Sequence, residues 1–509
     1  MAAESRTAKS IKNSLIALLF YFIGLILQFF SRKVFLNHLG TDILGLNTTA
    51  TNILQFLNLA ELGIGSAISF TLYTPLHHKD EKTINEIVSL QGWLYHRIAW
   101  IVLGGSLIMM SLFPWIFSKI NLPLWYAYAS FGVLLFSALL GYFFNYKQIL
   151  LAADQKDYKI QYSLQSARLT KLCCQIYALS HFDNAYIWWI VLEVLFAIVG
   201  AILLEYTTRK TYPFLIPDLK NGKSLRKKYP EIETKIKQLF FHRIGSFALT
   251  QTSPIIIYAY ASLTLVALYG NYMLIITGVT LLMNAMFNSM NAGVGNLVAE
   301  GRRDRILSVF EELFSIRFII VCTLCFGVYT MTPDFIAVWI GEEYVMDNTT
   351  LALMVATLYI SLSRSTVDAF TSAYGLFNDI WAPIIEASIN VGLSIFLGYY
   401  WGLHGILTGV LISLLVVIFC WKPIWLFKRG FKVSITRYIK MYATHIILGI
   451  AVWVITSRIY QTIKISTDSI SSLCINAVIS CGILLSLICT MIIFINPQIK
   501  NRVLSLIRR

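Results

Sequence analysis

Several ionisable side chains fall within long apolar runs, and their chemistry is the first question. A charged group near the centre of a membrane span costs ~2.5–3.5 kcal/mol on the insertion scale, so each needs an ionic partner or a watery cavity. The cations are Arg97, Arg168, Lys171, Arg243, Arg317 and Arg364, and the acids are Glu61, Glu193, Asp368 and Glu386. Arg168 and Lys171 are three apart, hence on one helical face, and Glu193 lies in the next run. They read either as a structural ion pair or as a cationic wall for an anionic ligand with Glu193 as its counter-charge. Arg364 and Asp368 are four apart in Ser363-Arg364-Ser365-Thr366-Val367-Asp368. That pair can simply neutralise itself, or it can open to release Arg364 to a phosphate. Arg317 is more isolated by sequence and is the better candidate for a cavity cation. Arg97 and Arg243 lie within one to two turns of span ends and read as snorkelling. Arg168, Lys171, Arg317 and Arg364 are thus the candidates for binding an anionic substrate. Glu61, Glu193, Asp368 and Glu386 are the candidates for ion coupling.

Composition sets the elements that must position these residues. The chain has 509 residues, 57% of them hydrophobic and 13% charged, against ~45–50% and ~25% in soluble domains. Mean hydropathy is +0.68, which excludes a soluble enzyme. With ~20–25 residues needed to cross ~30 Å of hydrocarbon, the length divides into about 14 helical spans with short loops, or about twelve if two of the weaker runs are re-entrant. The apolar runs lie at 11–36, 44–72, 90–117, 124–150, 160–180 and 185–206. After a polar stretch they continue at 239–263, 265–298, 310–332, 351–377, 382–400, 406–420, 438–459 and 471–495. The all-α chain therefore divides into a six-helix lobe at 1–206, a basic linker at 207–238, a second six-helix lobe at 239–428, and two further helices with a basic tail at 429–509.

The formal charge of +15 is a statement about topology. With the N-terminus inside, alternate loops hold about 30 Lys and Arg on the inner side and about five on the outer side. Both termini are expected in the cytoplasm, and nothing in the charge calls for nucleic acid. The linker alone carries about nine cations, which hold it inside and against anionic bilayer lipids.

Other signals lead nowhere. Cys322-x-x-Cys325 sits in a membrane run without a βαβ context and reads as buried apolar cysteine. Gly222-Lys223-Ser224 imitates the end of a P-loop, but Pro217 stands where the upstream glycine is required. The histidines have no metal-ligand spacing, so neither a metal nor a cofactor is expected. The longest outer loop, about 16 residues, is too short to build an enzyme pocket unaided.

The two halves echo one another. Gly63-Ile64-Gly65-Ser66 and Gly293-Val294-Gly295-Asn296 end the second and eighth spans, and the turn 153–158 resembles 377–381. Repeats six spans apart run in the same orientation, which implies a pseudo-two-fold axis along the membrane normal. The run Leu44-Gly45-Leu46-Asn47 through Leu59-Ala60-Glu61-Leu62-Gly63-Ile64-Gly65-Ser66-Ala67 and on to Tyr73-Thr74-Pro75-Leu76 also resembles the second span of bacterial polysaccharide repeat-unit flippases. So does the block Arg364 to Asp368 with Tyr374-Gly375-Leu376, Asp379, Pro383, Glu386, Asn390 and Ser394, and so does Trp421-Lys422-Pro423. These flippases belong to the multidrug/oligosaccharidyl-lipid/polysaccharide exporter superfamily.

The resemblance implies translocation of an undecaprenyl-diphosphate-linked oligosaccharide to the outer face of the bacterial inner membrane, for O-antigen or capsule (lipopolysaccharide or capsular polysaccharide) assembly. A proton or sodium gradient would drive it, and the polysaccharide polymerase machinery would receive the product. The first span has no central arginine or lysine, unlike the related peptidoglycan-precursor flippases, which favours the polysaccharide branch. The competing readings are a multidrug or cation antiporter of the same superfamily and an intramembrane glycan-modifying enzyme.

Overall fold

The computed structural model describes residues 6–61, 63–118, 122–260, 262–287, 294–295, 297–298, 300–376, 379, 381–467 and 469–495. Gly293 and Asn296 of the second glycine motif, Phe377, Asn378 and Ile380 of the second inner turn, and the basic tail Lys500 to Arg509 lie outside the described residues. The described chain is helical throughout and forms two compact units, Met1–Ala267 and Leu268–Arg509.

Among the described residues, 10 helical stretches are long and apolar enough to cross a membrane. Two of them, Leu15–Leu57 and Trp381–Phe431, contain a glycine with non-helical backbone, Gly40 (φ 80) and Gly402 (φ 55). Around Gly402 the chain folds back on itself: Ser394 Oγ donates to the Ile406 carbonyl at 3.0 Å. The reversal is close enough that a Cβ on Gly405 would stand 2.0 Å from the Leu397 carbonyl oxygen. At Gly40, Arg32 Nη2 reaches the Ala267 carbonyl at 3.3 Å while a Cβ on Gly45 would touch Leu263 O at 2.1 Å. Residues 32 and 45 would be about 20 Å apart in one straight helix, yet they meet positions about 6 Å apart, so the chain turns back here too. The helices Ser166–His181 and Pro230–Tyr260 stand where the fifth and seventh spans are expected but carry more polar residues. The whole is a multi-pass, all-α membrane protein.

The first unit differs from its expected layout in two elements. The second span is not one helix, because a 3₁₀ turn at Asn58–Glu61 separates the helix ending at Leu57 from Ile64–His78. Gly63, at φ 94, makes the break, in a left-handed conformation that a side chain would strain. Glu61 therefore sits at a helix junction. The helix Pro230–Tyr260, grouped with 239–428 on hydropathy, packs in this unit and runs through Pro254 without interruption. Its linker is pinned to the helix Glu81–Ser111: the Asn85 amide donates to Phe214 O at 3.1 Å, and Ser89 Oγ accepts from Asp218 N at 2.8 Å. A Cβ on Gly222 would meet Trp93 at 2.1 Å, so the imitation P-loop glycine is explained by packing. Asn13 closes the inner turn by donating to Gln155 O at 2.9 Å and accepting from Tyr158 N at 3.0 Å.

The second unit is held by aromatic packing. Phe310 meets Phe370, Phe427 and Phe431 at ring distances of 5.3, 5.6 and 5.2 Å. This joins the helix Arg303–Trp339 to the tenth and twelfth spans, and Tyr438 and Tyr442 of Thr436–Ile463 complete the cluster. Buried aromatics bring both large area and preferred edge-to-face geometry. His445 bridges the same helices through Ser315 at 2.9 Å. Outside the apolar stretches, Asp347 caps Asn348–Ser363, accepting from the backbone N–H of Thr349 and Thr350 at 2.9 Å, with His404 Nε2 at 3.0 Å. Partial burial opposes its ionisation, but the Thr350 and His404 hydrogen bonds outweigh this and bring the carboxyl down to about 2.

Candidate functional site

Among the described residues, a polar cavity lies in each unit, and the two differ in charge. In the second unit a cavity of about 380 Å³ is lined by Met283, Asn284, Phe287, Arg317, Ser365 and Asp368, among others. Arg317 is only 7% exposed, and its guanidinium carbon lies 4.2 Å from the centre of the Phe287 ring. Its Nη1 is buried without a hydrogen-bond partner among the described residues. A guanidinium on an aromatic face is favourably placed as a cation, but the ring cannot satisfy the outward N–H groups.

Asp368 of this lining is tied to Arg364, whose Nε donates to Asp368 Oδ2 at 2.7 Å. The backbone stays helical across the pair, with Asp368 N bonded to Arg364 O at 3.0 Å, so the four-residue spacing positions both side chains. Glu386 lies close enough to act electrostatically on Arg364, is 5% exposed, and has one carboxylate oxygen without a partner among the described residues. Beyond it Lys422 Nζ bonds Asp379 Oδ2 at 2.8 Å. Arg317, Asp368, Arg364, Glu386 and the Lys422–Asp379 pair thus form an alternating series of charges within one unit.

In the first unit the expected cationic wall is arranged differently. Lys171 Nζ donates to Glu193 Oε2 at 2.8 Å, and Gln175 Nε2 donates to Glu193 Oε1 at 3.1 Å. Both carboxylate oxygens are therefore engaged. Arg168, one turn earlier, is exposed and has no partner among the described residues. Neither lines a polar cavity described here. Arg97 lies over the Trp93 ring at 3.7 Å, and the side chain of Arg243 lies outside the described residues. The cavity of this unit, about 810 Å³, is instead lined by Gln55, Asn58, Glu61, Ser69, Tyr73, Gln148 and Asp157, with no lysine or arginine among its lining residues. Tyr95 Oη donates to Glu61 Oε1 at 2.9 Å.

Sequence reasoning missed the Lys147–Glu205 pair at 2.8 Å and the role of Gln175. Lys147 and Glu205 both fall near the C-terminal ends of their runs but 58 residues apart, so no local spacing announces their contact. Asp379 and Lys422 stand in separate blocks of the sequence, and their pairing across a hairpin has no spacing signature.

No protein-family model and no curated relative matches this sequence. The fold does match solved structures. The chain is similar to the lipid II flippase MurJ in an inward closed conformation, with TM-score 0.66 and 12% identity over 94% of this chain and 98% of that one. The chain shares that fold. A multidrug resistance MATE family transporter of the MOP superfamily, in an inward-facing conformation, matches with TM-score 0.56 and 13% identity over 79% of this chain and 94% of that one. The all-α multi-pass architecture expected from sequence agrees with this shared fold.

Proposed function

We propose that the chain is a transporter that flips undecaprenyl-diphosphate-linked oligosaccharides from the inner to the outer face of the bacterial inner membrane by alternating access. The observation that carries this reading is the buried Arg317 guanidinium lining a cavity, with its Nη1 unpaired among the described residues. A diphosphate oxygen would fill that vacancy with a charge-assisted hydrogen bond, which is stronger than a neutral one. Phosphate arriving beside Asp368 would repel that carboxylate and compete for Arg364. The Arg364–Asp368 pair would then open, with Glu386 able to take up the proton or the displaced cation's charge. This links Asp368 and Glu386 to coupling by a proton or sodium ion. Lys171 would act on a ligand only after leaving Glu193, and Arg168 lines neither cavity, so their role is secondary in this scheme.

The direct experiment is flipping of undecaprenyl diphosphate carrying a glycan by the purified chain in liposomes. Arg317→Ala should lower the rate by roughly tenfold to a hundredfold, the range for hydrogen bonds to charged groups, with the protein still folded. Unchanged flipping would overturn the proposal. One observation favours a second reading, export of an organic cation: the first unit's cavity has Glu61, Asp157 and tyrosines but no lysine or arginine among its lining residues.

A further inference from the structure

The cavity of the first unit is larger than an ion requires, and Glu61 alone does not account for its lining. Its volume of about 810 Å³ falls within the ~300–1,000 Å³ of small-molecule sites. Three amides face it, those of Gln55, Asn58 and Gln148, together with the hydroxyl of Ser69. Among the described residues, the side chains of Gln55, Gln148 and Ser69 make no hydrogen bond, and the Asn58 amide N–H groups have no acceptor. Asn58 is nevertheless oriented, because its Oδ1 accepts from Tyr142 Oη at 2.8 Å, and Glu61 is oriented by Tyr95. The half-exposed Tyr73 ring lies at the same lining. Gly65 keeps the space open, since even a Cβ there would stand 3.3 Å from Ile149 Cδ1 and 3.5 Å from Tyr95 Oη.

Amides and hydroxyls each offer donors and acceptors, as do the hydroxyl groups of a sugar. A phosphate would need cations, which this lining lacks. A dedicated ion site would gather carboxylates around a point rather than spread unpaired amides over a wall. We infer that this cavity is a subsite for the neutral sugar residues of the transported lipid, recognised through Gln55, Asn58, Gln148 and Ser69. The inference rests on the transport reading above, in which the transported lipid carries an oligosaccharide. It makes glycan choice a property of the cavity lining within residues 55–160.

The test is equilibrium binding to the full chain in nanodiscs, with two probes: undecaprenyl diphosphate, and the undecaprenyl-diphosphate oligosaccharide fraction extracted from the source cells. The glycan-bearing lipid should bind about tenfold more tightly than the bare one, a difference of about 1.4 kcal/mol. The double variant Gln55→Ala/Gln148→Ala should bring that ratio close to one, and Gly65→Leu, which fills the cavity from its wall, should do the same independently. If the wild-type chain binds both probes equally, the sugar subsite is overturned while the transport reading stands. If neither probe binds, the transport reading fails and the subsite with it. Binding of tetraphenylphosphonium that depends on Glu61, with no glycan preference, would assign the cavity to an organic cation and also overturn the inference.

Discussion

The polar cavity of residues 1–267 and that of residues 268–509 are built from opposite materials. The first has amides, hydroxyls and two carboxylates, and the second has a buried arginine beside an arginine–aspartate pair. In-span charges of both signs occur in both halves of the sequence, so their distribution alone predicts no such difference. What separates them is pairing. Lys171 is paired with Glu193 away from that half's cavity, whose lining holds no lysine or arginine, whereas Arg317 lines the other cavity with an aromatic ring for a neighbour and, among the described residues, no partner for Nη1. A charge inside a span is informative about ligands only once its partners are known.

The largest effect that would break this contrast is at Arg317. Arg317→Lys should recover only part of the flipping lost in Arg317→Ala, because an ammonium offers a point charge without the planar fork of donors. Full rescue would show that charge alone matters there. Next is the exchange of the Lys171–Glu193 pair for an apolar one, Lys171→Met/Glu193→Leu. A pair removed together leaves no buried charge unmatched, so membrane levels and flipping should stay within about twofold of wild type. Lys171→Ala alone should lower membrane levels, by stranding Glu193. If the double variant folds but does not flip, Lys171 belongs to the anion-binding machinery after all.

Smaller again is the change expected from Glu386→Gln. An amide at that position removes a carboxylate whose oxygen lacks a partner, so the fold should persist. Transport measured against an imposed pH gradient should lose its gradient dependence; retained dependence would assign coupling elsewhere. The smallest effect is at Asp347→Ala, which removes a helix cap and should cost about 1 kcal/mol. The Asp347 carboxyl is held at about 2 in the fold, below ~3.9 for an unfolded aspartate. A depressed value stabilises the ionised folded form above about pH 4, and the benefit is lost as pH falls through about 2. The wild-type advantage in thermal unfolding should therefore be full near neutrality and shrink across that window.

Much of the architecture was legible because hydrophobic periodicity and span length are local properties. The hairpin at Gly402 and the junction at Gly40 fall between runs that the sequence already separates. The break at Gly63 was not legible, since Leu59-Ala60-Glu61-Leu62-Gly63 reads as continuous apolar sequence and the positive φ appears only in the fold. The Arg364–Asp368 contact was legible from its four-residue spacing, and the Lys171–Glu193 contact from a short connection between adjacent spans. The Lys422–Asp379 and Lys147–Glu205 pairs were not, because each joins positions more than 40 residues apart.

The sequence by itself determined that this chain is helical, polytopic and furnished with charges that a bilayer makes costly, because composition and periodicity act along the chain. Tertiary structure decided which of those charges are cancelled. Neutralisation requires groups to lie within a few ångströms, and in this chain many of those distances are set by how separate helices pack. That is why Lys171 meets Glu193 with both carboxylate oxygens engaged, while Arg317 faces a cavity.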